Sequence, residues 1–285
     1  MELLLTGGTG FIGTALTEAL REAGHKLTIL TRANHRSTQG CRYIQSLDEL
    51  AADTRIDGVI NLAGASLAAK RWTNAYKQEM VASRVDTTRA LVRWMREREA
   101  RPEVLLSASA IGYYGQHGDE ELAEDGSVVP GFAQSLCQQW ENEAMQAVEL
   151  GVRVCSMRLG VVLDSGGGAM VEMARPFKFG VANWMGTGQQ WLSWVHRQDV
   201  VAAILFLLEH PVLSGAFNVT APQPVTSRGF CDVMKRHKRT LITAPVPAFA
   251  MRLLVGEMAD ELLLSGQRVV PAALQGAGFE FTYPH

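Results

Sequence analysis

The run Thr6-Gly7-Gly8-Thr9-Gly10-Phe11-Ile12-Gly13 constrains this chain more than any other stretch. Ahead of it, Leu3-Leu4-Leu5 reads as a buried parallel strand. Behind it, Phe11, Ile12, Ala15, Leu16, Ala19 and Leu20 recur at helical spacing as far as Gly24, a glycine suited to the C′ position. Strand, glycine turn and helix in that order let the backbone come close to a pyrophosphate. The helix N-terminus then turns unpaired N–H groups and its positive dipole end toward it. A glycine triad alone marks only a tight turn, but its place between strand and helix points to dinucleotide binding. Thr6, Gly7, Gly10, Phe11, Ile12 and Gly13 are therefore the first candidate cofactor residues.

The second strand, Lys26 to Thr31, runs into Arg32, with Arg36 close behind. In a dinucleotide fold this position usually carries an Asp or Glu for the ribose hydroxyls of NAD. An acid there would repel a 2′-phosphate, whereas a guanidinium can grip it at two points. The residues favour NADP(H), the plain alternative being that Arg32 is a solvated loop cation. Gly58 to Gly64 is a further strand ending in a second glycine turn, and it adds Asn61, Leu62, Ala63 and Gly64 at the carboxyl edge of the sheet. Thr73 is a candidate N-cap for a helix that spans Tyr76 to Arg98 and stops before Pro102. The next strand, Glu103 to Ser107, brings Ser107 to the same edge.

Beyond it, the loop from Gln116 to Gly131 is acidic and reads mostly as a solvated rim. A helix from Phe132 to Leu150 stops at Gly151, and Val152 to Arg158 is another strand. This alternation calls for a Rossmann-type doubly wound parallel sheet with right-handed crossovers. From Gly160 the texture changes: Phe177 to Gln190 looks irregular, and helical patterns cover Arg197–Glu209, Ser227–His237 and Ala248–Leu264. The expected division is a Rossmann domain of residues 1–160 plus about 190–215. A small α+β C-terminal substrate lobe takes about 161–189 plus 216–285.

At 285 residues, 47% hydrophobic and 20% charged, the composition is that of an ordinary globular protein. A formal charge of −2 gives no reason to expect nucleic acid or an anionic membrane as partner. The N-terminus lacks a basic n-region, and no apolar run approaches a bilayer's thickness. Cys41, Cys137, Cys155 and Cys231 are scattered and read as free thiols. No histidine has ligand spacing, so no metal is expected. The expectation is a cytoplasmic protein with a small-molecule substrate, as monomer or homodimer.

Together these residues resemble an extended short-chain dehydrogenase/reductase of the NAD-dependent epimerase/dehydratase group, and within it the YfcH-like epimerase-family branch. The branch's features stand here as Lys70-Arg71-Trp72-Thr73, Ser83-Arg84, Ser109-Ala110-Ile111-Gly112-Tyr113-Tyr114-Gly115, Trp140-Glu141, Trp194-Val195-His196 and Gly266 to Pro271. The resemblance spans nearly the whole chain. It implies an NADP(H)-binding domain with a substrate pocket over the nicotinamide, and it implies no particular substrate. Members continue into one more helix after the Tyr-Pro that here is Tyr283-Pro284, so this end is expected to be short or trimmed.

The wider superfamily works with a Tyr-x-x-x-Lys pair, in which the phenol exchanges a proton with the substrate and the lysine lowers its pKa. Counting back from Glu141, those two positions fall on Ala133 and Cys137. The resemblance implies that the gap is shared by the branch. Candidate catalytic substitutes are Ser109, which could also be a strand-end cap, and Tyr113 or Tyr114, which could also wall a pocket. Lys70 and Arg71 could hold an anion or be solvated. His196 and Asp199 read as joining the two lobes. Two functions remain open: an NADP(H)-dependent oxidoreductase or epimerase on a small substrate, sugars included, and a non-catalytic NADPH sensor or scaffold.

Overall fold

The structure is a computed structural model and describes all 285 residues. Its sheet begins with β1 (Glu2–Thr6), β2 (Lys26–Leu30), β3 (Cys41–Ile44), β4 (Gly58–Asn61) and β5 (Val104–Ala110). The helix α1 (Phe11–Glu22) joins β1 to β2. Between β4 and β5 lie α2 (Asn74–Val81), a π-turn at Ala82–Asp86 and α3 (Thr87–Arg96). After a short β6 (Glu121–Leu122), α4 (Phe132–Met145) leads to β7 (Arg153–Leu159). Smaller elements follow: β8 (Val161–Asp164), α5 (Gly168–Ala174), β9 (Val181–Met185), β10 (Trp191–Leu192) and β11 (Trp194–His196). The chain returns to the sheet through α6 (Arg197–Glu209) and β12 (Gly215–Val219). It ends with β13 (Val225–Thr226), α7 (Ser227–His237), β14 (Ile242–Val246), α8 (Ala248–Val255), β15 (Arg268–Val269) and α9 (Ala272–Gly276).

Seven strands pair in the order β12-β7-β5-β4-β1-β2-β3, every pair parallel. A parallel sheet is covered on both faces, which is why β1 is an unbroken leucine run. Leu3 and Leu5 pack with Leu16 and Leu20 of α1 and with Val200, Ile204 and Leu207 of α6. Leu4 points the other way, toward Leu91, Trp94 and Met95 of α3. Strand order reverses between β1 and β4, and that switch point opens the crevice in which such folds hold ligands.

The sheet reaches past the boundary expected at residue 215. β12 is its seventh strand, in register with β7 from Gly215 opposite Cys155 to Val219 opposite Leu159. The segment expected to be irregular holds β9, flanked by Gly180 and Gly186 at φ +73° and +52°. Its partner is β14, a strand not anticipated from the sequence. The predicted Tyr76–Arg98 helix starts two residues earlier, with Thr73 Oγ1 accepting from the Tyr76 N–H, and carries a π-turn at its middle. Asp199 is fully buried and accepts from the N–H groups of Thr282 and Tyr283, 2.9 Å each, which pins the C-terminal segment against α6. No helix is long and apolar enough to cross a membrane.

Candidate functional site

The glycine turn closes on itself through Gly10 N–H donating to Gly7 O at 3.0 Å. Gly7 has φ +70°, and a Cβ there would lie 2.6 Å from Leu62 O. A Cβ on Gly13 would lie 2.1 Å from Gly7 O. Side chains at either position would push the turn off the end of β4 or off α1, so space requires glycine at both and the dihedral requires it at Gly7 as well. No side chain caps α1, which begins directly after the crevice-lining Gly10, so the dipole's positive end lies beside the crevice.

That crevice is a cavity of ≈ 410 Å³ lined by three groups of residues: Thr6, Gly7, Thr9 and Gly10; Leu62, Ala63, Gly64 and Ala65; Thr31, Arg32 and Gln45. Its far wall is Ser83 and Thr87, from the π-turn and the start of α3. The shape and donor set suit a dinucleotide: a glycine floor that a Cβ would fill, an uncapped helix end, and one guanidinium at the rim. No carboxylate lies within 4 Å of the Arg32 guanidinium, and Gln45 steadies its loop by donating to Arg32 O at 3.2 Å. Another cavity, ≈ 390 Å³ between α2 and Phe132, lies away from the glycine turn.

Seven cofactor candidates meet in this cleft: Thr6, Gly7, Gly10, Arg32, Leu62, Ala63 and Gly64. Phe11, Ile12 and Gly13 can offer only backbone, because Phe11 packs under the Arg197 guanidinium and Ile12 joins the core. Asn61 and Ser107 do not reach the cleft. Asn61 is fully buried, accepts from Thr6 Oγ1 at 2.6 Å, and donates to Thr88 Oγ1 at 2.8 Å and Ser107 Oγ at 3.4 Å. It ties the ends of β1 and β4 to the middle of β5 and to α3. Ser83, Thr87 and Gln45 are lining residues that no motif in the sequence marked as cofactor contacts. Arg84, also in the π-turn, is buried and donates to Ala65 O and Met80 O, above the Trp140 ring. Burial lowers its pKa.

The three catalytic candidates separate sharply. The Ser109 hydroxyl is buried and donates to Glu141 Oε1 at 2.6 Å. Glu141 in turn holds Arg158 through Nε at 2.9 Å and Nη2 at 3.0 Å. Arg158 also donates to the Tyr114 hydroxyl at 3.0 Å and to Glu124 O at 2.8 Å. Tyr114 has no exposed surface and passes its own proton toward Asn218 Oδ1 at 2.7 Å. Burial raises its pKa, opposed by the nearby Arg158 charge. Burial also disfavours the Arg158 charge, but the Glu141 carboxylate outweighs that, and its pKa rises.

Ser109 and Tyr114, expected as substrate-facing groups, stand here in a buried network with both hydroxyl protons aimed inward. In the acidic loop Glu124 stands apart from the rim: its carboxylate accepts from Asn218 N at 2.9 Å and Ala273 N at 3.1 Å and so ties the loop to β12 and α9. Tyr113 differs. It is half-buried, its ring lies 3.5 Å from the Arg158 guanidinium carbon, and its hydroxyl has no hydrogen-bond partner within the chain.

Ala133 and Cys137, the positions that lack the Tyr and Lys, pack against Gly112. A Cβ on Gly112 would meet Ala133 Cβ at 3.3 Å and Cys137 Sγ at 3.6 Å. The turn after β5 has closed over this part of α4. Cys137 is buried, and burial first, then Glu141, pushes its thiol up to about 12. It is an inert filler.

A doubly wound sheet with a glycine cradle at its switch point defines a nucleotide-binding Rossmann protein, here without the usual tyrosine–lysine pair. The profile of the NAD dependent epimerase/dehydratase family matches residues 3–220, and that of a domain of unknown function matches residues 246–285. The chain belongs to the NAD-dependent epimerase/dehydratase family. An epimerase family protein of Staphylococcus aureus is 38% identical over 287 residues, covering 99% of this chain and 95% of that one. Among solved structures, human epimerase family protein SDR39U1 with NADPH superposes with a TM-score of 0.89 at 30% identity, over 100% of this chain and 96% of that one. A nucleoside-diphosphate sugar epimerase from Corynebacterium glutamicum gives 0.78 at 29% identity, covering 100% of this chain and 56% of that one.

Proposed function

We propose that this chain binds NADP(H) and is an atypical short-chain dehydrogenase/reductase, acting as an oxidoreductase or epimerase on a small substrate such as a sugar. The observation that carries the cofactor assignment is Arg32 at the cleft rim, without a carboxylate partner, where an NAD-selective fold would place an acid. Its guanidinium can take a 2′-phosphate by two parallel hydrogen bonds. The human relative was solved with NADPH, which agrees with this reading. The glycine turn would take the pyrophosphate on the N–H groups at the start of α1. Bound there, the cofactor would supply hydride exchange at nicotinamide C4.

Among the chain's own groups, Tyr113 is the one phenol of the motif left free to move a proton to or from a substrate oxygen. Arg158 beneath its ring is locked by Glu141 and supplies a fixed positive charge. A second reading, an NADPH sensor or scaffold without turnover, is favoured by one fact: Ser109 and Tyr114 spend their hydroxyls on the buried network.

The deciding experiment follows NADPH absorbance across a panel of carbonyl compounds and nucleotide sugars, with Tyr113→Phe alongside. Turnover that falls at least tenfold in Tyr113→Phe, with NADPH binding unchanged, supports the enzyme. Tight NADPH binding with no turnover on any compound would establish the sensor.

A further inference from the structure

The net charge conceals a strong local asymmetry. From Val233 to Gly256 the chain carries five Lys or Arg and one His, with no Asp or Glu. From Met173 to Gln198 it carries three Lys or Arg, again with no acid. The small parallel sheet β9–β14 brings these two segments together, Val181 opposite Ile242. Around it, Arg175 pairs with Glu172, Lys235 with Asp232 and Arg252 with Asp260. Lys178, Arg236, Lys238 and Arg239 are all exposed and have no acidic partner within 4 Å.

Large apolar side chains stand out among these cations. Phe179 is 77% exposed, Leu241 79% and Ile242 59%. They are held together by the backbone, since the N–H groups of Leu241 and Ile242 both donate to Gly180 O, at 2.7 and 3.1 Å. The Leu241 side chain lies against Gly180, where a Cβ would come within 3.2 Å of it. β14 runs through Pro247 into α8, which has no buried residue and exposes Phe249 and Leu253 one turn apart. Isolated exposed leucines are ordinary, but a cluster among four exposed cations without acidic partners is not.

We propose that the β9–β14 sheet and its flanking basic run form a docking surface for an anionic lipid bilayer. Phe179, Leu241 and Ile242 would enter the headgroup–acyl boundary, while Lys178, Arg236, Lys238 and Arg239 meet the lipid phosphates. Charge complementarity and apolar exposure together select this occupant. A nucleic-acid backbone would use the cations and leave the aliphatic side chains in water. A second copy meeting this face symmetrically would set like charges against like, and Pro245 obstructs pairing along the β14 edge.

The test is flotation of the full-length protein with vesicles of phosphatidylglycerol and phosphatidylcholine in equal parts, against phosphatidylcholine alone. The protein should float with the anionic vesicles only and be released by high salt. Lys238→Gln with Arg239→Gln should lower partitioning roughly 25-fold at low salt, about fivefold for each lost cation. Phe179→Ser with Leu241→Ser should lower it at least as far, and unchanged NADPH binding would show that both variants are folded. Absence of flotation, or equal flotation with neutral vesicles, would overturn the proposal. So would retention of polyuridylic acid in place of vesicles, or a dimer in sedimentation velocity that Leu241→Ser dissolves.

Discussion

Glu141→Ala probes the buried network that stands near the missing catalytic pair. The carboxylate accepts three hydrogen bonds, from Ser109 Oγ and from Nε and Nη2 of Arg158, at 2.6 to 3.0 Å. Arg158 is 4% exposed, so removing Glu141 leaves a guanidinium with neither water nor counter-charge. Breaking one side of a buried ion pair costs about 3–5 kcal/mol, most of it the uncompensated charge. For a chain of this size that is a drop of roughly 5–8 °C in melting temperature.

Ser109→Ala removes a single hydrogen bond to a charged group and should cost about 1.5–3 kcal/mol. Arg158→Met in the Glu141→Ala background removes the stranded charge as well. The double variant should therefore be more stable than the two single losses would give when added, by at least ~2 kcal/mol. Urea denaturation followed by circular dichroism measures the unaltered chain, the three single variants (Arg158→Met included) and the double variant. A Glu141→Ala loss below about 1 kcal/mol, or strictly additive losses, would refute the view that this network is a closed electrostatic unit.

Three further outcomes follow. Gly13→Ala forces a Cβ into Gly7 O and should cost about 1–3 kcal/mol while weakening NADPH at least tenfold; full affinity would show that the turn is not held against α1 as described. All four cysteines are buried and burial raises the thiols of Cys137 to about 12 and Cys155 to about 11, so Ellman's reagent should react with none of them quickly until the protein unfolds. Asp57 accepts from the Glu2 N–H at 2.8 Å, which together with Arg55 holds its pKa below the usual carboxylate value. A depressed folded pKa means that its contribution is complete above about pH 4 and is lost as pH falls through the folded value. Asp57→Asn should therefore show a shallower acid-side loss of stability, and an unchanged acid limb would contradict this.

The sheet was legible in the sequence because its signals are local. Leu3-Leu4-Leu5 must be covered on both faces, and the glycine turn can be read without knowing what packs above it. The lobe was less legible because its pairings are remote. β9 looks irregular between Gly180 and Gly186 until β14 supplies its partner. The place of β12 beside β7 is a matter of topology, which no local run of residues shows.

The cleft at the glycine turn was largely readable as well, since backbone conformation makes it and glycines mark it. Ser83, known only as part of a family motif, and Thr87 are not legible as cleft residues because the π-turn beside the cleft is unmarked in the local sequence. Ser109 and Tyr114 illustrate another limit. A hydroxyl at a strand tip looks the same in sequence whether it faces a substrate or a buried carboxylate. Here Glu141, 32 residues away, decides the matter.

The most direct test is calorimetric titration of NADPH and NADH into the protein and into Arg32→Asp. NADPH should bind the unaltered chain more tightly than NADH by at least tenfold. Arg32→Asp should lose ~1.4 kcal/mol or more for NADPH with little change for NADH. Equal losses for both cofactors, or tighter binding of NADH from the start, would contradict an NADP(H) site built around Arg32.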